Sequence, residues 1–306
     1  MKTTFPEKAK KFFTSWEFVL LLILFAEIVI FATKNPKFLM PRVLFGSLND
    51  IISICIISLF VTFVMITGGI DIQAGSIVGL SSIVLGVAWQ DGGMNIWAAV
   101  ALAVVVAGVC GALSGYFVAY CGVQPMVVTL GGSFLFTGVA LLVSNLSATE
   151  SYKGISGFPD SFLQLSKFKL FGVIPCQVII FLVLAVIAYV LLNKTKYGRM
   201  VFLIGVNKDA AEFSGINTRL ITMTTYILSG ISAAIAGIIL TSYIGTAKSD
   251  IGVTFTLPII TAVVLGGTLS TGGKGSVVGT ALAAVVIGVL KFGLPLCFKV
   301  PQQYLD

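Results

Sequence analysis

The apolar and polar positions of the chain form a succession of uninterrupted apolar tracts separated by short polar breaks. Tracts over 17–33, 50–67, 70–90, 95–121, 125–147, 175–192, 221–244, 255–268 and 276–294 predict nine helices. A hydrocarbon core about 30 Å thick takes roughly 20 apolar residues at about 1.5 Å rise each, and most of these tracts are near that length. The runs are continuous, whereas the strands of a membrane β-barrel would alternate. Two tracts depart from the rule: 255–268 is short and holds Pro258, and 70–90 opens on a Gly-rich, partly polar turn. The expected fold is all-α, a polytopic transmembrane helical bundle forming a single domain over residues 1–306.

Composition supports this reading. Hydrophobic residues make up 57% of the chain and charged residues 10%, with a mean hydropathy of +1.06. Soluble domains carry about 25% charged residues, so the charges here are too few to cover a soluble surface. The net charge of +7 does not point to nucleic acid, because the basic residues sit in short segments between apolar spans. The five cysteines fall in or beside apolar tracts without metal-ligand spacing, and the chain has no histidine. They are expected to be small buried hydrophobes. The basic start and long apolar run of the N-terminus, with no A-x-A cleavage site after it, predict a retained first span.

With the N-terminus in the cytoplasm, Lys2, Lys8, Lys10 and Lys11 lie inside, 148–174 outside and 193–220 inside. The positive-inside rule favours this orientation, against Lys34, Lys37, Arg42, Lys153, Lys167 and Lys169, which fall outside. The connection at 148–174 is expected to be exposed. Residues 193–220 carry Lys194, Lys196, Arg199, Lys208 and Arg219 against Asp209 and Glu212. Within them "NKDAAEFSGIN" predicts a short amphipathic helix closed by Gly215. It reads either as a solvated positive-inside loop or as a docking helix for a cytoplasmic partner.

Glycine placement adds to the picture. "GVCGALSG" sets Gly108, Gly111 and Gly115 on one helix, with a G-x-x-x-G step that permits close helix approach. "GSIVG" at 75–79 and "GSVVG" at 275–279 each follow a Gly pair and open a span. Such an echo reads either as an internal repeat with interrupted helices or as chance, because Gly-Ser steps are common in membrane helices.

Two acids stand inside apolar tracts. In "ITGGIDIQAGS", Asp71 follows Gly68 and Gly69 and precedes Gly75 and Ser76. One reading makes it a cap for a helix opening at about residue 72, and the other makes it a group facing a water-filled pathway. Glu27, in "LLILFAEIVIF", is expected to be protonated or paired, with a proton site as the alternative. "GGTLSTGGKGS" at 266–276 fails the phosphate-loop pattern at two positions, since residue 268 is Thr and Gly275 follows Lys274. It is expected to be a flexible turn. The chain shows no Walker A sequence, no cofactor motif and no clustered carboxylates from which to assemble an enzyme site.

"GGIDIQAGS", "GVQPMVVTLGGSFLFTGVAL", "TKYGRMVFLIGVNKDAAEFSGINTRL" and "LPIITAVVLGGTLSTGGKGSVVGT" occur in the order and spacing of one family. Across roughly residues 50–295 the chain resembles the ribose-type ABC importer permeases. The resemblance implies a second, related permease subunit, two cytoplasmic ATPase subunits and a periplasmic substrate-binding protein, all assembled in the lipid bilayer of a bacterial inner membrane. It makes 193–220 the cytoplasmic coupling loop, with Asn207, Ala210, Ala211, Glu212 and Gly215 carrying force from the ATPase. Gly68, Gly69, Asp71, Gly75 and Ser76 would shape a helix entry beside the translocation pathway. The implied cargo is a small, neutral, furanosyl, sugar-like molecule, with ribose or another monosaccharide as the alternative. An ion-coupled secondary transporter using Glu27 or Asp71 is the rival from another class.

Two departures from the family pattern stand out. Gln73 and Ala74 replace the Ser and Val common in the sugar permeases, a change expected to bear on substrate or partner choice. Family members have ten spans and continue past the position of Leu294, so the last span is expected to be missing and the C-terminus to lie outside.

Overall fold

The structure is a computed structural model, and it describes residues 15–298 apart from 151–152, 171 and 173. The N-terminal lysines weighed for orientation, Lys2, Lys8, Lys10 and Lys11, lie outside the described residues. Among the described residues, six helices are long and apolar enough to cross a membrane. They are α1 (Trp16–Lys34), α4 (Ile96–Ala119), α5 (Pro125–Ser144), α7 (Cys176–Lys194), α10 (Thr218–Ile244) and α12 (Val277–Phe298). Three more elements carry shorter apolar helices: α2 (Pro41–Ile66), α3 (Ala74–Gln90) and α11 (Thr256–Leu265). The remaining helical elements among the described residues are a 3-10 turn at Pro36–Leu39, α6 (Asp160–Lys167), α8 (Lys196–Val206) and α9 (Lys208–Phe213).

Helix α10 is the central post, packing most extensively against α4, then α2 and α3. Glycines set how closely these elements approach. A Cβ on Gly111 would overlap the Tyr226 carbonyl of α10, and one on Gly115 would sit 2.9 Å from the Met223 backbone. The same holds from the other side, where Gly230 faces the Ala107 carbonyl. The G-x-x-x-G step therefore lies in the α4–α10 seam. Gly108 is looser, with only the Ile231 side chain nearby.

The apolar core runs along α2, where Cys55, Ile56, Ile57, Leu59, Phe63 and Ile66 are all buried. The outward faces of α4, α5 and α7 stay apolar and exposed, Phe134 and Leu142 among them. A helix that is apolar on both its packed and its outward faces suits a lipid surround.

The structure corrects three expectations. Residues 148–174 do not form a simple exposed loop: β1 (Ile155–Ser156) pairs antiparallel with β4 (Thr246–Ala247), and β2 (Lys169–Leu170) pairs with β3 (Ile174–Pro175). Between them, α6 buries Phe162 and Ser166, and Trp89, Phe158 and Phe162 form a chain of ring contacts at 4.8 and 5.1 Å. Ser242 Oγ donates to the Phe162 carbonyl at 2.8 Å, fastening this cap to α10. Secondly, the 275–279 echo does not open a second interrupted helix, because α12 is continuous over its 22 residues. Gly279 is there because the Gly266 carbonyl lies against it. Thirdly, the cysteines are all free, but only Cys55 and Cys110 are buried, and Cys121 is exposed.

Candidate functional site

Between α2 and α3 the chain leaves helical geometry for residues 67–73. Gly68 turns it with φ +81°, a value that a side chain disfavours. From there to Gln73 the backbone has no regular secondary structure, and its buried peptide groups need partners. Side chains supply several of them. Thr129 Oγ1 of α5 donates to the Ile70 carbonyl at 3.0 Å, and Thr256 Oγ1 of α11 donates to the Ile72 carbonyl at 3.1 Å.

Asp71 sits in the middle of this segment and is 1% exposed. Its Oδ1 accepts from the Gln73 amide at 3.1 Å, and its Oδ2 accepts from Ser229 Oγ of α10 at 2.6 Å. The Ala74 amide also faces it. The helix opens at Ala74 instead of the expected residue 72, and the residue in the N-cap position, Gln73, makes no side-chain cap. Asp71 thus supports the helix start from two residues further back while bridging to α10.

Gln73 is fully buried. Its Oε1 accepts from Ser114 Oγ of α4 at 2.6 Å, and Gly132 of α5 leaves it room. Its Nε2 has no hydrogen-bond partner among the described residues.

A second non-helical stretch crosses the first. After β4 the chain passes through residues 248–255, of which 249–254 form successive turns, before α11 begins. It lies directly on α3, where a Cβ on Gly75 would overlap the Gly252 carbonyl and one on Gly79 the Ser249 carbonyl. "GSIVG" is therefore a groove for a passing backbone. The two interrupted elements meet where Thr256 bonds Ile72. Sequence reasoning missed this partner, since the polar character of "AKSDIGVTF" reads as a loop.

Ser76 lies one helical turn beyond Gln73 and is half-buried. Ser133 Oγ and Thr137 Oγ1 of α5 both lie 3.1 Å from its Oγ. These hydroxyls and the Gln73 amide can donate and accept hydrogen bonds without carrying charge. Among the described residues, no group of three His, Cys, Asp or Glu side chains could hold a metal ion.

Gly69 is buried beside Tyr226, and a Cβ there would lie 2.5 Å from the Tyr226 hydroxyl. A cavity of about 200 Å³ adjoins them, lined by Thr67, Gly68, Gln124, Ile204, Lys208 and Thr222 among others.

Glu27 lies apart from this crossing. It is buried on α1, which packs against α12, and its Oε2 has no hydrogen-bond partner among the described residues.

The 193–220 segment folds as two helices, α8 and α9, where one was expected. Asn207 caps α9, its Oδ1 accepting from the Ala210 amide at 2.9 Å, and Gly215 follows with φ +81°. Ala211 is buried, while Ala210 and Glu212 are exposed. Thr218 Oγ1 stands 3.5 Å from Glu212 Oε2. Tyr197 of α8 meets Thr224 Oγ1 at 3.1 Å, and burial pushes its phenol above the usual range.

Sequence reasoning also missed the apolar tip of this unit, with Phe213 93% exposed and Val206 72% exposed. Their position beside Lys208 and Asp209, outside the apolar tracts, was the available signal. Gly205 presses α8 against the Ile66 carbonyl, and the Gly273 amide donates to that same carbonyl at 2.8 Å. The α8–α9 unit therefore rests on the end of α2, directly before the segment that holds Asp71.

Comparison with known proteins gives a consistent result. Residues 43–304 match the family described as "Branched-chain amino acid transport system / permease component". The chain is 42% identical over 288 residues to a Photorhabdus laumondii protein named "Autoinducer 2 import system permease protein LsrD", covering 94% of this chain and 86% of the relative. Proteins of the same name from Salmonella typhimurium and Yersinia pseudotuberculosis are also 42% identical. The first aligns over 289 residues, with 94% and 86% coverage. The second aligns over 281 residues, with 92% and 84% coverage. No solved structure matches.

Proposed function

Since the chain belongs to the branched-chain amino acid transport system / permease component family, we propose that it is a permease subunit of an ATP-binding-cassette importer that carries autoinducer-2 across the bacterial inner membrane. The observation that carries this reading is the 42% identity over 94% of the chain to relatives named for autoinducer-2 import. The family description names branched-chain amino acids, but the uncharged hydroxyls and amide around Ser76 and Gln73 suit a furanosyl polyol better than a zwitterion.

On this reading all nine apolar helices span the membrane, with 67–90 and 248–265 each crossing as a non-helical stretch plus a short helix. A second, related permease completes the pathway, and a periplasmic protein delivers the ligand. Two ATPase subunits dock on α8 and α9, through Asn207, Ala210, Ala211, Glu212 and Gly215. Gly68, Gly69, Asp71, Gly75 and Ser76 form the pathway element that responds. The support is geometric: α8 rests on Ile66, two residues before Gly68. The carboxylates are not ion-coupling sites on this account, and Asp71 is already committed to Ser229 and Gln73.

The test is uptake into membrane vesicles carrying the chain with its co-expressed partners. Autoinducer-2 accumulation that requires ATP, and that an imposed ion gradient cannot replace, is the expected result. Uptake of ribose in its place would overturn the substrate, and uptake driven by a gradient alone would overturn the class.

A further inference from the structure

A second cavity, of about 710 Å³, opens at the end of the bundle that carries α8 and α9. Ligand sites commonly enclose about 300–1,000 Å³. Its walls come from Ser15–Glu17 at the start of α1, Val264 near the end of α11, and the 266–276 turn with Lys274 and Ser276. The motif mistakable for a phosphate loop therefore does line a pocket, although it lacks the Walker pattern. The Trp16 indole N–H donates to the Leu265 carbonyl at 2.6 Å, fixing α1 against α11.

The polar lining has two opposite charges. Glu17 accepts from Ser276 Oγ at 3.1 Å, leaving carboxylate lone pairs for another donor. Lys274 is exposed and makes no ion pair among the described residues. Thr268, only 2% exposed, is one of the lining residues, and its buried hydroxyl has no hydrogen-bond partner among the described residues. The starts of α1 and α12 meet here through the Glu17–Ser276 hydrogen bond. The other wall is apolar. Val264 and Leu269 are about half exposed, and Leu257, two turns along the same face of α11, is exposed as well.

We propose that this cavity holds the head group of a zwitterionic aminophospholipid, with phosphate toward Lys274 and Thr268 and primary ammonium toward Glu17 and the Trp16 ring. The charge arrangement selects the class. A purely anionic head group would meet the Glu17 carboxylate, and a soluble phosphate would leave the Val264–Leu257 strip uncovered. A primary ammonium donates to a carboxylate and sits over an indole face, whereas a choline head group has no N–H to donate. An acyl chain lying along α11 covers the apolar strip. The lipid would then hold α1, α11 and the 266–276 turn together, and that turn is the one whose Gly273 bonds Ile66.

Native mass spectrometry of the purified full chain, delipidated and titrated with phosphatidylethanolamine, phosphatidylcholine or phosphatidylglycerol, tests this directly. The expected result is one phosphatidylethanolamine per chain, retained roughly tenfold better than phosphatidylcholine for one charge-assisted hydrogen bond. Glu17→Gln should erase the ethanolamine-over-choline preference, and Lys274→Gln should weaken retention of both. Equal retention of the three lipids by the unmodified chain, or preference for phosphatidylglycerol, overturns the proposal without recourse to any variant. A preference that survives both substitutions in chains of unchanged melting temperature places the lipid elsewhere and also overturns it.

Discussion

Asp71 Oδ2 accepts a 2.6 Å hydrogen bond from Ser229 Oγ, joining the interrupted segment before α3 to the central post α10. The relationship explains why an apolar chain keeps an acid at this depth. The carboxylate accepts from the Gln73 amide and the serine hydroxyl together, and accepting hydrogen bonds does not of itself require the charge. Asp71→Asn keeps an accepting oxygen and should retain most uptake. Asp71→Leu leaves a buried hydroxyl and an amide unpaired, at about 1–3 kcal/mol each, and should abolish uptake or assembly. Uptake per molecule of membrane-inserted chain separates the two outcomes, and complete loss in the Asn variant with normal assembly would show that the charge itself acts on the cargo.

The crossing of 248–255 over α3 depends on two missing side chains. A Cβ on Gly79 would overlap the Ser249 carbonyl, whereas one on Gly138 of α5 has nothing within 4 Å. Gly79→Ala should therefore lower the melting temperature by an overpacking cost of roughly 1–3 kcal/mol. Gly138→Ala should be neutral or stabilising, by up to about 1 kcal/mol of helix propensity. Equal responses in detergent melts would contradict the crossing.

Gln73 and Gly132 form a coupled pair, since a Cβ on Gly132 would overlap the Gln73 side-chain oxygen. Gly132→Ala alone should destabilise the chain, and adding Gln73→Ser should recover much of the loss. A double-mutant cycle on melting midpoint should return an interaction of roughly 0.5–3 kcal/mol. Additivity would mean that the two do not touch.

At the α8–α9 tip, Phe213 is 93% exposed and contributes little to the fold. Phe213→Ala should leave the melting temperature unchanged while reducing the amount of ATPase recovered with the chain. Gly215 tests coupling separately: at φ +81° with open space around it, a Val there is strained by roughly 1–2 kcal/mol. Gly215→Val should let ATP hydrolysis continue while uptake falls, and undiminished uptake would remove this segment from the coupling route.

Much of the helix layout was legible because a bilayer imposes length and continuity on apolar tracts. The expected tract 125–147 is α5 over Pro125–Ser144, and 175–192 is α7 over Cys176–Lys194. The Gly-rich turn before α3 was legible too, since "GGIDIQAGS" carries polarity where a span should be apolar. Its contacts were not, because nothing in one sequence links Gly75 to Gly252 or Asp71 to Ser229 across 158 positions. Helix α8 was hidden by Lys196 and Arg199, whose charges read as loop, although Val201 and Ile204 bury its inner face. The cap at 148–174 was hidden by its short elements, where single residues such as Phe158 and Phe162 do the packing.

The most direct measurement of the central claim is a pull-down of the tagged chain from solubilised membranes of its native host, with bound subunits identified by mass spectrometry. Recovery of a P-loop ATPase and a second, related permease is the expected result. Recovery of the chain with neither, from membranes in which it is correctly inserted, would contradict its assignment as one subunit of an ATP-driven importer.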